Sequence, residues 1–139
     1  MASDGPQDHQ RPPETILFVE DEPLVRMDMA EFLRQCGYRV HEAADATEAV
    51  EALQAKFVID LVFTDINLPK GMNGRELAEW VKANRPGVGV VIATGDAAAA
   101  KEAADPFGPV LAKPYTGRDL LDRVRQELAK GQGGADKAE

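Results

Sequence analysis

Four short apolar runs, each stopped by a polar residue of a particular kind, constrain this chain more than anything else in it. Ile16-Leu17-Phe18-Val19 is followed by Glu20 and Asp21, and Leu61-Val62-Phe63-Thr64 by Asp65. Val88-Gly89-Val90-Val91-Ile92-Ala93 is followed by Thr94, and Val110-Leu111-Ala112 by Lys113. Bounded apolar runs of this length read as strands of a parallel sheet buried on both faces. Ligands of such sheets bind beyond the carboxyl ends of the strands. Four strands therefore deliver three carboxylates, a hydroxyl and an ammonium to one edge of one sheet. That is the donor set of a metal and phosphate site.

The segments between the runs have helical spacing. Val25, Met29, Phe32, Leu33 and Cys36 repeat at three and four residues, with Gly37 as a stop. Cys36, the only cysteine, excludes an internal disulfide, and its place in that repeat predicts a buried structural thiol. A second strand is expected at about Arg39 to Glu42. Asp45 with Glu48, and Asn73 with Glu76, form capping-box patterns that open two further helices. The first carries Ala46, Ala49, Val50 and Leu53 on one face. The second runs through Leu77, Trp80 and Val81 to Pro86-Gly87. Asp96 is placed to cap a short helix from Ala97 to Ala104, and a last helix from near Thr116 carries Leu120, Leu121, Val124 and Leu128 inward. Five strands alternating with five helices predict a doubly wound α/β fold with right-handed crossovers and helices on both faces.

A chain of 139 residues holds one domain of this kind. The polar, proline-containing segment 1–13 and the small, charged segment 131–139 are expected to be disordered tails around a body spanning 14–130. A net charge of -8 argues against nucleic-acid binding, which needs clustered lysine and arginine to neutralise phosphates. No apolar stretch approaches the roughly 20 residues of a spanning helix, and no secretory h-region is present. The expected setting is the cytoplasm, away from membranes. His9, in the tail, and His41, in a strand, have no catalytic surroundings.

With these residues in place, the chain resembles the receiver domain of bacterial two-component response regulators. The resemblance rests on Phe18-Val19-Glu20-Asp21-Glu22, Thr64-Asp65-Ile66-Asn67-Leu68-Pro69, Ala93-Thr94-Gly95 and Lys113-Pro114-Tyr115. It implies a flavodoxin-like five-stranded sheet of order 2-1-3-4-5. It also implies phosphorylation of Asp65 by a sensor histidine kinase or a histidine phosphotransfer protein. Mg²⁺ is then the implied cofactor, held by Asp21, Glu20, Asp65 and the backbone carbonyl of Asn67. Lys113 corresponds to the lysine that pairs with the phosphoryl oxygens, and Thr94 to the hydroxyl that moves toward them as the switch. Asn67, Gly95 and Asp96 occupy positions that tune the lifetime of the acyl phosphate. A cis bond between Lys113 and Pro114 is expected, and enzymatic activity limited to self-phosphorylation and its reversal.

Three features depart from the common pattern. Val110 stands where many members have an aromatic ring three residues before the lysine, so output is expected through the segment after Thr94 and through Tyr115. That segment is also about a helical turn shorter than usual. The loop Lys70-Gly71-Met72-Asn73-Gly74 is one residue longer than usual, as in stand-alone receivers and those attached to hybrid kinases. Two other functions compete with phosphoacceptor signalling. A Mg²⁺-dependent phosphatase or phosphotransferase acting on a small substrate would want a second acid two residues after Asp65, where Asn67 stands. A receiver-like binding module without phosphorylation would not need Glu20, Asp21, Asp65, Thr94 and Lys113 together.

Overall fold

A computed structural model describes residues 13–96, 98 and 107–138, the side chains of 132–138 excepted. The elements are β1 (Thr15–Val19), α1 (Pro23–Gln35), β2 (Arg39–Ala43), α2 (Ala46–Gln54), β3 (Leu61–Asp65), α3 (Gly74–Asn84), β4 (Gly89–Thr94), β5 (Leu111–Ala112) and α4 (Gly117–Ala138). The strands form one sheet in the order β2-β1-β3-β4-β5, and every pairing is parallel. This is the flavodoxin-like order expected from the sequence.

Strand alternation divides the core into two layers, because successive side chains leave a strand on opposite faces. Leu17, Val19, Val62, Val90 and Ile92 face α2 and α3, where Ala49, Leu53, Leu77 and Val81 meet them. Ile16, Phe18, Leu61, Phe63, Val91 and Ala93 face α1 and α4, against Leu33, Leu120 and Val124. Continuous apolar runs are what two buried faces require. Burying one such side chain contributes on the order of 1.5–3 kcal/mol.

The helix starts follow the sequence signals. Asn73 and Glu76 form a reciprocal capping box at α3, and the Asp45 side chain accepts from the Glu48 N–H at α2. Thr116 and Asp119 do the same for α4, a box the sequence reading passed over: the Asp119 N–H donates to Thr116 Oγ1 and the Thr116 N–H to Asp119 Oδ2. Pro23 opens α1 directly after the N-cap Glu22, where its missing N–H costs nothing.

Some expectations need correction. Cys36 is exposed, because α1 ends at Gln35 and Gly37 turns the chain at φ 104°, which carries the thiol past the packed face. Val110 precedes β5 rather than beginning it, although it still packs on the α2/α3 layer. The helix α4 runs past the boundary expected at Lys130 to Ala138. The tail over 1–12 lies outside the described residues. So does the helix expected from Ala97 to Ala104, Ala98 excepted.

Candidate functional site

β1 and β3 lie side by side with Val19 opposite Thr64, so the next residues out, Glu20 and Asp65, emerge together at the carboxyl edge. Carboxylate oxygens of Glu20, Asp21 and Asp65 lie within 4.8 Å of one another. Glu20 and Asp65 are buried, and Asp21 is exposed beside a cavity of about 430 Å³ lined also by Asn67, Asn73 and Arg75. From β5, Lys113 reaches across. Its Nζ lies 2.6 Å from Asp65 Oδ2 and 3.3 Å from Glu20 Oε1. The Lys113-Pro114 peptide bond is cis, as expected.

Two buried carboxylates share one ammonium. Burial pushes the Glu20 carboxyl above its ordinary range, and the charge of Asp65 adds to this, while the Glu22 N–H and Lys113 pull the other way. Burial also disfavours the Lys113 ammonium, but its hydrogen bond to Asp65 and the charges of Asp65 and Glu20 outweigh that and raise its pKa. Among the described residues, one ammonium for three clustered acids leaves room for another cation. Hard oxygen donors at this spacing suit Mg²⁺, which takes one or two carboxylates and keeps several waters.

The backbone around the acids is pinned from several sides. The Asn67 N–H donates to Asp65 Oδ1 at 3.1 Å, and the Glu22 N–H to Glu20 Oε2 at 3.1 Å. Arg26, which the sequence reading passed over, donates to the Glu20 carbonyl at 3.0 Å and pairs with Glu42 at 3.2 Å. Gly74, named above only as the end of a loop, is a further constraint. A Cβ there would overlap the Asp65 carbonyl, while the Gly74 N–H donates to the Ile66 carbonyl at 2.9 Å. The start of α3 is thus pressed against the end of β3, which a side chain would prevent. The only sequence signal was a glycine at the first turn of a helix, where it has poor propensity.

The remaining candidates sit around this cluster. Thr94 is buried, and its Oγ1 accepts from the Asp96 N–H at 3.2 Å. Asp96 Oδ1 accepts from the Ala98 N–H at 2.9 Å, a capping contact. Gly95 is exposed, and among the described residues a Cβ there would meet only Lys113 Cβ, at 4.0 Å. Asn67 is exposed at the mouth. His41 lies away on the edge strand, its ring 5.1 Å from Phe57.

Known proteins are similar to this chain. The family model for the response regulator receiver domain matches residues 16–125. The chain is 34% identical over 120 residues to the sensor kinase CckA of Brucella abortus, covering 84% of this chain and 13% of that protein. It is 35% identical over 121 residues to the transcriptional regulatory protein PdtaR of Mycobacterium tuberculosis, covering 85% and 58%. A CheY-like receiver domain protein from Methanospirillum hungatei has the same fold at a TM-score of 0.79 and 30% identity, covering 88% of this chain and 98% of that one. In the two curated relatives the matched region is part of a longer protein. Fold, acidic edge and family match agree, and the chain belongs to the response regulator receiver domain family.

Proposed function

We propose that this chain is a signalling phosphoacceptor that takes a phosphoryl group from the phosphohistidine of a sensor histidine kinase, or of a histidine phosphotransfer protein, onto Asp65. The observation that carries this reading is the convergence of Asp65, Glu20, Asp21 and Lys113 on one sheet edge. An Asp65 oxygen attacks phosphorus, the new P–O bond forms as the P–N bond breaks, and the imidazole leaves with the bonding pair. Lys113, already 2.6 Å from Asp65, follows the transferred group and offsets its charge. The Thr94 hydroxyl, whose oxygen now accepts from the Asp96 N–H, turns to donate its O–H to a phosphoryl oxygen, which makes it the switch.

Glu20, Asp21, Asp65 and the Asn67 carbonyl would hold Mg²⁺. When bound, the ion supplies positive charge against the repulsion among the carboxylates and the incoming phosphoryl oxygens. Around it, the chain's own residues do the positioning. Asn67, Gly95 and Asp96 border the path of a hydrolytic water and set the lifetime of the acyl phosphate. The chain works in the cytoplasm, where its donor is; no helix among the described residues is long and apolar enough to cross a membrane.

The test is intact mass after incubation with acetyl phosphate and Mg²⁺, and then with phosphorylated kinase. One phosphoryl adduct is expected in wild type and none in Asp65→Ala or after chelation. An adduct that persists unchanged in Asp65→Ala would sink the assignment. Steady release of phosphate from small phosphate esters would favour the phosphatase reading instead.

A further inference from the structure

The Tyr115 hydroxyl is shut off from solvent and has no hydrogen-bond partner among the described residues. Buried polar groups are almost always paired, and an orphan costs stability. Its position is informative. Phe18 and Phe63 are register partners on β1 and β3 and stack at 4.3 Å, and the Tyr115 ring meets Phe63 edge-on at 5.8 Å. Glu20 and Asp65 stand two residues further along those strands. A two-residue step keeps a side chain on the same face and advances it about 6.6 Å. Tyr115 therefore lies in the layer directly beneath the buried carboxylates. Burial, then the charges of Glu20 and Asp65, hold the phenol well above its ordinary pKa, so it remains a donor at any physiological pH.

Glu20 is the acceptor with most to gain. It is 1% exposed, and when Lys113 leaves, the Glu22 N–H is the one partner left to it among the described residues. Lys113 holds it by the longer of two contacts, 3.3 Å against 2.6 Å to Asp65. Resting on the phosphoacceptor reading above, we propose that Tyr115 is a positioning residue for Glu20. Its hydroxyl donates to the Glu20 carboxylate when Lys113 turns its ammonium onto the phosphoryl group. The glutamate and the tyrosine then act as a matched pair, keeping a metal-holding carboxylate in place during the switch.

Tyr115→Phe removes the hydroxyl and keeps the ring. Calorimetric titration with beryllofluoride in Mg²⁺, and thermal melts with and without both, separate the outcomes. The metal-free variant should melt no lower than wild type, because an orphan group has gone. Its beryllofluoride affinity should fall roughly tenfold, the worth of one hydrogen bond to a charged group. In a Glu20→Asp background the same change should cost nothing further. A merely structural role would lower the metal-free melting temperature and leave the affinity intact. Equal affinities, or a tenfold loss that survives in Glu20→Asp, would overturn the pairing. Wild type that binds no beryllofluoride at all would remove the phosphoacceptor reading and this inference with it, a failure visible before any variant is made.

Discussion

The two ends of the sheet treat buried charge in opposite ways. At the amino end, where the strands begin, Arg123 is 5% exposed and fully engaged. It donates to the Pro109 carbonyl at 2.9 Å, to the Phe107 carbonyl at 3.2 Å and to Glu127 at 3.0 Å, clasping the segment before β5 onto α4. Nearby, Asp60 accepts the Thr15 N–H at 2.8 Å. At the carboxyl end Glu20 and Asp65 are buried just as deeply but, among the described residues, share a single ammonium, with an unpaired phenol beneath them. A satisfied charge fastens the fold. An under-satisfied cluster is a place for something else to bind.

Substitution separates the two ends. The largest cost is expected at the clasp, where Arg123→Ala strands two backbone carbonyls and leaves Glu127 only the exposed Lys130, at 3.5 Å. Urea unfolding should show a loss of about 4 kcal/mol with little change in phosphorylation of the protein that remains folded. A loss under about 1 kcal/mol would mean that water replaces the guanidinium, and that this end is no more fastened than the other.

Next comes Gly74→Ala, in which the new methyl meets the Asp65 backbone. We expect about 3 kcal/mol of destabilisation, together with a slower phosphorylation rate, because the start of α3 and the Asp65 carbonyl cannot both stay in place. Full stability with normal phosphorylation would show that the two elements separate freely.

The smallest change should have the opposite sign. Glu20→Gln removes a buried carboxylate, so the metal-free protein should gain on the order of 1 kcal/mol at neutral pH. The sign follows from the raised pKa of Glu20. Below its ordinary value of 4.5 the group is protonated in both states and costs nothing; as pH rises through the elevated folded value, ionisation in the folded protein is penalised. The advantage of the variant should therefore grow with pH across that window and reverse on adding Mg²⁺, which stabilises only wild type. A variant less stable than wild type at neutral pH without metal would mean that Lys113 already compensates the charge.

The fold was legible because both sheet faces are buried at the centre, so β1, β3 and β4 announce themselves as unbroken apolar runs, while the edge strand β2, Arg39 to Ala43, alternates. β5 was the least so, since it pairs over only Leu111 and Ala112. Within the site, Glu20, Asp21, Asp65 and Lys113 could be read because each stands where such a run stops. What stayed hidden depended on packing partners that a linear pattern does not carry. Arg123 looks like any helical surface arginine; its one signal was Glu127 a helical turn on. Gly74 needed the approach of α3 to β3, and the orphan hydroxyl of Tyr115 needed the layer under the acids. Cys36 failed differently: helical periodicity was extended one residue past the turn that ends the helix.

The most direct test is where the phosphoryl group goes. Wild-type protein phosphorylated in Mg²⁺ is reduced with borohydride, which converts an aspartyl phosphate to homoserine, and digested for peptide mass mapping. Homoserine at position 65, absent without Mg²⁺, is the expected result. Conversion at another acid, or none despite a phosphoryl adduct on the intact protein, would contradict the central claim that the acidic edge exists to phosphorylate Asp65.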